Sequence, residues 1–321
     1  MTAYLVRRLI QVVPLLLIIS LIGFVIIQAT GDPLAAFTMD ASLTSDDIAR
    51  LRHKYGLDKP VPIQYLNWFK NMLAGDWGTS YHTREKVVDM VFERFPNTLV
   101  LVVISYILTL SSATMLGTIS AVRQYSILDH VVTGLSFIGI ATPSFWLGLM
   151  LIVIFSVRFK EAGLPYLPVG GMYDHRVGSS VPQVLWHVIL PAFTLSSVMT
   201  ARYIRYIRSA MLEQIHLDYV RTARSKGLPE RTVLLRHAFK NVLLSVITLV
   251  GLDLPFLLSG TIVIESMFAW PGMGRLFWSS AERTDIPPLM ALLLFAAILT
   301  VLSTFVVDIL YAAVDPRIRY Q

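Results

Sequence analysis

DYVRTARSKGLPERTVLLRH, residues 218–237, carries five Lys or Arg in twenty positions, in a 321-residue chain that is 55% hydrophobic and only 15% charged. Read as part of a soluble protein, such an island suggests nucleic acid. Read between long apolar runs, it is the water-facing loop of a membrane protein. The flanking sequence decides: mean hydropathy is +0.63, and a soluble fold has nowhere to bury that much apolar surface.

Six segments reach the roughly 20 apolar residues needed to cross ~30 Å of hydrocarbon. They run roughly 9–29, 97–122, 131–157, 184–204, 241–264 and 289–314. The first is too long for a secretion-signal core of about 7–15 residues and lacks a small-residue cleavage site, so it reads as a retained span. With the N-terminus inside, the inner segments hold Arg7, Arg8, Arg123, nine basic residues from Arg202 to Lys240, and Arg317 with Arg319. Against them stand only Asp129, Glu213, Asp218, Glu230 and Asp315. The outer segments are nearly balanced. The net charge of +6 is therefore topological, which argues against nucleic acid and places both termini in the cytoplasm.

The first outer segment, about 30–96, contains Thr44-Ser45-Asp46-Asp47, a capping-box form. Ile48, Leu51 and Tyr55 then share a helical face before Gly56. A second short helix is expected from Pro62 to Gly75, with Ile63, Leu66, Phe69 and Leu73 in register. With Trp68 and Trp77, these suit an interfacial layer. Residues 158–183 are punctuated by Pro and Gly. AWPGMGRLF, 269–277, reads as a turn dipping toward the membrane; Trp270, Pro271, Gly272, Met273 and Gly274 are candidates for an outer closure. Pro143, Pro191 and Pro255 fall inside spans, where each can kink a helix.

Enzymatic chemistry finds no support. With no cysteine there is no thiol or zinc-thiolate chemistry. The seven histidines are scattered without metal-ligand spacing, and neither a nucleophile elbow nor a phosphate-binding G-x-x-x-x-G-K-[ST] is present. Two carboxylates lie inside spans, Asp253 in the fifth and Asp308 in the sixth. Such groups are costly in hydrocarbon and are functional candidates. Asp253, followed by Pro255, reads either as part of a water-filled translocation cavity or as a structural partner of a neighbouring helix; Asp308, near the inner interface, reads as structural.

The island itself has a pattern that topology alone does not require. Arg202, Arg205 and Arg208 extend the fourth span with a basic face. DYVRTARSKGLPE gives a short helix, a break at Gly227 and a restart near Pro229. Val233, Leu234, Ala238 and Val242 suggest a second short helix, making a compact protruding knob. A polybasic lipid-binding segment is the intermediate alternative.

YVRTARSKGL, 219–228, resembles the cytoplasmic EAA-type loop of ABC importer permeases, in the oligopeptide/dipeptide/nickel variant, with Arg221-Thr222-Ala223 in the Glu-Ala-Ala place. GDP (31–33), YGLDKPVPIQYLNW (55–68), GDWGTS (75–80), RFPNTL (94–99), ATPSFWLG (141–148), ESMFAWPGMGRL (265–276) and VDILYAAVDPRIRY (307–320) extend the likeness over nearly the whole chain. It departs from the general pattern at Arg221, where that pattern has Glu, and at Phe239-Lys240, where many sugar permeases have Leu-Pro; both favour peptide-type import.

The resemblance implies an all-α, six-helix type I importer subunit of a bacterial inner membrane. It divides the chain into a first helix and outer loop (1–96) and a five-helix core (97–321), with the EAA-type loop at 205–240. It further implies a homologous second permease, two ATPase subunits that hold ATP and Mg, and an extracytoplasmic substrate-binding protein, with no cofactor on this chain. Tyr219, Arg221, Thr222, Ala223, Lys226, Gly227 and Leu228 would form the ATPase contact, Ala223 and Gly227 by permitting close approach. A nickel or metal-chelate importer, an ion-coupled secondary transporter and a membrane scaffold or receptor are the competing readings.

Overall fold

Apolar runs separated by polar punctuation fold into helices throughout a computed structural model that describes residues 2–29, 31–34 and 44–314. The side chains of 2–9, 244, 245, 252, 254–260 and 307–314 lie outside that description. In chain order the elements are α1 (Thr2–Ala29), α2 (Ser45–Lys54), α3 (Val61–Leu73), α4 (Val87–Val122), α5 (Ile127–Ala141) and α6 (Ser144–Leu151). A π-helix, π1 (Ile152–Arg158), runs into α7 (Phe159–Glu161), followed by α8 (Val181–Ile215), α9 (Asp218–Ser225) and α10 (Glu230–Thr232). A second π-helix, π2 (Val233–Phe239), leads to α11 (Lys240–Met267), α12 (Met273–Glu282) and α13 (Ile286–Val314).

Five of these helical runs are long and apolar enough to cross a membrane, and a sixth span results if α5 and α6–α7 count as one bent pair. The expected single span over 131–157 is thus broken, by 103°. The cause is local. Pro143 disfavours helical backbone at Thr142, which takes φ −83°, ψ 121°, and Pro143 then starts α6. Pro191, by contrast, stays inside α8. Apolar side chains on α1, among them Ile10, Val13, Ile18 and Ile22, point outward, as lipid-facing residues do.

The chain forms two compact units. The first comprises residues 1–97 and 271–302. The capping box is realised: Asp47 N donates to Thr44 Oγ1 at 3.3 Å and Thr44 N to Asp47 Oδ2 at 3.0 Å. The hydroxyl and amide of Thr44, both donating to Asp47, hold its carboxyl below the usual range. The second short helix forms as α3, Val61–Leu73, with its aliphatic stripe facing outward. Ile63, Leu66 and Leu73 are exposed, while Tyr65 and Trp68 pack on Phe24 of α1. The rings offer more area for burial than the aliphatic stripe. Asp285, buried before α13, accepts from Ser80 Oγ at 2.5 Å and Tyr81 N at 2.9 Å, tying the 80–81 turn to that helix.

The second unit comprises residues 98–270 and, among the described residues, 303–314. Its main core gathers Tyr106 and Ala113 of α4, Val132 of α5, Ile207 and Met211 of α8, Val220 of α9, and Val242 of α11. Ser105, Ser136 and Thr194 each return their hydroxyl hydrogen bond to the preceding turn, Ser105 Oγ to Leu101 O at 2.7 Å, which satisfies those donors within their own helices.

Candidate functional site

The basic island folds into a knob anchored from below. α9 has two faces. Val220 and Ala223, three apart, are buried in the core with Val233 and Ala238 of π2, while Tyr219, Arg221, Thr222, Lys226, Gly227 and Leu228 are exposed. Ala223 is therefore not on the docking face expected for it; at 4% exposure it seats the knob on its own chain. The expected second helix is also different. Val233 and Ala238 are five residues apart, the i→i+5 repeat of a π-helix, and the wider turn brings both inward.

Three ties fix the knob's orientation. Tyr219 Oη donates to Gln214 Oε1 of α8 at 2.6 Å and accepts from Asn241 Nδ2 of α11 at 2.8 Å. Arg224 donates from Nε and Nη2 to the two oxygens of Glu230 at 3.2 and 2.8 Å, bracing the intervening turn. The Glu230 carboxylate raises the Arg224 pKa above its ordinary value. Gly227 makes the turn: its φ is +74°, a left-handed value that side chains resist, and Leu228 N reaches back to Ala223 O at 3.4 Å, closing the helix. No atom lies within 4 Å of where a Gly227 Cβ would sit, so on this chain the residue serves conformation.

Behind the knob, Asp129 of α5 is 2% exposed and receives a bidentate pair from Arg208 of α8, at 2.7 Å from Nε and 2.8 Å from Nη2. Ser120 Oγ adds a further short hydrogen bond. Deeper in the second unit, Arg202 Nη2 of α8 lies 2.6 Å from Asp253 Oδ2 of α11. The distance is that of an ion pair, but the oxygen has no aligned hydrogen bond. Tyr106 and Tyr203 stand within electrostatic reach of Asp253, with their hydroxyls buried beside it. Pro255 lies in α11 with its side chain outside the described residues, and so does the side chain of Asp308.

The AWPG turn is packed. Trp270 is fully buried beside Leu101, Val188 and Phe268, and Trp270 N donates to Glu265 O at 2.8 Å. Ala269 adopts φ +49°. Gly171 N donates to Phe268 O at 2.8 Å, and a Cβ on Gly170 would sit 2.3 Å from that oxygen. Pro271 O accepts from Asn97 Nδ2 at 2.8 Å, Gly272 precedes α12, and Met273 and Gly274 are buried in its first turn. Glu265, fully buried, accepts from Thr98 Oγ1 at 2.8 Å.

Residues 113–320 match the family described as the inner membrane component of binding-protein-dependent transport systems, and residues 1–102 match its N-terminal membrane component. The chain belongs to this permease family. Its fold is that of a type I ABC importer permease. The oligopeptide transport system permease AppB of Bacillus subtilis (strain 168) is 42% identical over 322 residues, covering all of both chains. A putative peptide permease of Brucella suis biovar 1 (strain 1330) is 37% identical over 99% of each. The dipeptide transport system permease DppB of Escherichia coli (strain K12) is 34% identical over the full length of both.

Within this permease, the sequence signals located the knob and Asp253 but missed their partners. Arg202 and Arg208 read as one basic face, although each pairs with a carboxylate on another helix. Glu265 sat at the end of an apolar run and counted as outer loop; a lone acid one residue past a span boundary was the available signal. Asn241, a polar residue opening the fifth span, gave no hint that it tethers Tyr219.

Proposed function

We propose that this chain is one of two homologous membrane-spanning subunits of an ATP-driven importer of di- and oligopeptides. The knob carries the reading. α9 presents Tyr219, Arg221, Lys226 and Leu228 outward, while Val220 and Ala223 lock it to the core, so a push on the knob is transmitted to α8 and α11. Two ABC ATPase subunits, holding ATP and Mg, would receive the knobs of the permease pair in the cytoplasm. Closing of the ATPase dimer would rock the helices as rigid bodies and alternate access to the path. A binding protein would deliver cargo from the opposite side, where the Trp270–Gly274 turn would form the outer closure. Both termini would then be cytoplasmic, in a bacterial inner membrane.

Peptide cargo is supported by the full-length likeness to permeases named for oligopeptides and dipeptides. Purification of the tagged chain from its native membrane tests the assembly. Recovery of a second permease, a P-loop ATPase and a peptide-binding protein is expected; a chain that comes alone and transports without ATP would contradict it.

A further inference from the structure

Beside the Arg202–Asp253 pair, the second unit opens a groove of about 610 Å³ between α5, α8 and α11, bordered by Thr133, Phe137, Arg202, Arg205, Tyr206 and Leu249. The three arginines around it are not equivalent. Arg208 is committed to Asp129 by both arms of its fork. Arg202 is held by Asp253, yet its side chain remains 54% exposed. Arg205 is exposed, makes no ion pair or hydrogen bond among the described residues, and lies over the Phe137 ring at 4.6 Å. Stacking fixes the guanidinium plane while leaving its N–H donors open.

Arg202 and Asp253 each lie thirteen residues from the knob end of their helices, about 20 Å along the axis at 1.5 Å per residue. The groove sets Arg202 and Arg205 against α5 and α11 at the inner end of the fourth span, where a guanidinium is within reach of water. An open guanidinium fork beside a tethered one matches a planar, doubly accepting anion, and a carboxylate has that geometry.

We infer that Arg205, with Arg202, binds the C-terminal carboxylate of the cargo peptide as it passes, and that Asp253 is a positioning residue that aims Arg202. A terminal carboxylate is common to peptides of any side-chain composition, so one such station serves varied cargo. The inference rests on the peptide-import reading. It assigns Asp253 no direct contact with cargo, in keeping with its burial.

The test is ATP-driven uptake into vesicles by the complete importer, comparing one peptide as free acid and as C-terminal amide, in wild type and Arg205→Gln. The binding protein is the same in both, so its own preference cancels from the change in the acid-to-amide ratio. Loss of one charge-assisted hydrogen-bonding group should lower that ratio about tenfold, with amide uptake within about twofold of wild type. Arg205→Lys should keep part of the preference. Asp253→Asn should lower the ratio and Asp253→Glu restore it, whereas a purely structural role would change both peptides alike. An unchanged ratio in Arg205→Gln overturns the inference while leaving peptide import standing. Equal loss for both peptides, appearing in vesicles with phosphatidylglycerol but absent in phosphatidylcholine, would assign the anion to lipid phosphate and also overturn it. Failure of wild type to import either form would remove the import reading itself.

Discussion

The hydroxyl of Tyr219 and the amide of Asn241 meet at 2.8 Å, joining the knob to the first turn of α11. The same hydroxyl donates to Gln214 at the end of α8. One oxygen thus connects the proposed coupling helix to both helices that carry Arg202 and Asp253.

Tyr219→Phe removes that oxygen and keeps the ring. The bond is solvent-exposed, so the loss of stability should be about 1 kcal/mol. Transport per ATP hydrolysed should fall several-fold while ATPase association persists. Paired measurements of uptake and phosphate release check this; unchanged stoichiometry would deny the tether a coupling role.

Gly227→Ala places a side chain at φ +74°. The left-handed backbone should cost about 1–2 kcal/mol with no steric clash, since the Cβ position is open. Thermal unfolding of the purified complex and recovery of the ATPase measure the two effects. Association should weaken in proportion to the stability loss.

Ala223→Leu inserts three carbons into a buried site packed against π2. Overpacking of this kind typically costs about 1–3 kcal/mol. The expected result is a lower yield of folded permease, seen by size-exclusion profile, even in the absence of any ATPase. A normal permease that loses only ATPase binding would instead return Ala223 to the docking face.

Asp129→Asn leaves the Arg208 guanidinium, only 24% exposed, facing a neutral amide. Breaking a buried pair by removing one member costs about 3–5 kcal/mol at the upper end. Asp129→Asn combined with Arg208→Gln should recover much of the loss, because no charge is then stranded. A double-mutant cycle on thermal stability decides.

Much of this was legible in the chain because its signals were local. The apolar runs, the Thr44–Asp47 cap and the Gly227 break each depend on neighbours within a few residues. The bend at Thr142-Pro143 was foreseeable as a kink, but its 103° angle was not; proline removes helical backbone before it without fixing where the chain goes next. The inward turn of Ala223 follows its three-residue spacing from Val220 on α9, whereas the joint burial of Val233 and Ala238 depends on the i→i+5 repeat of π2, which an α-helical reading separates. Arg202 and Asp253 are fifty-one residues apart on antiparallel helices, and only their packing reveals the pair.

The central claim, that the knob meets an ATPase with one face only, is tested most directly by site-specific cross-linking. The chain has no cysteine, so Arg221→Cys, Lys226→Cys, Leu228→Cys and Val220→Cys each carry a single thiol. In the assembled importer, cross-links to the ATPase are expected from positions 221, 226 and 228 and not from buried position 220. Cross-links to lipid alone, or equal reaction at 220, would contradict the docking face described for α9.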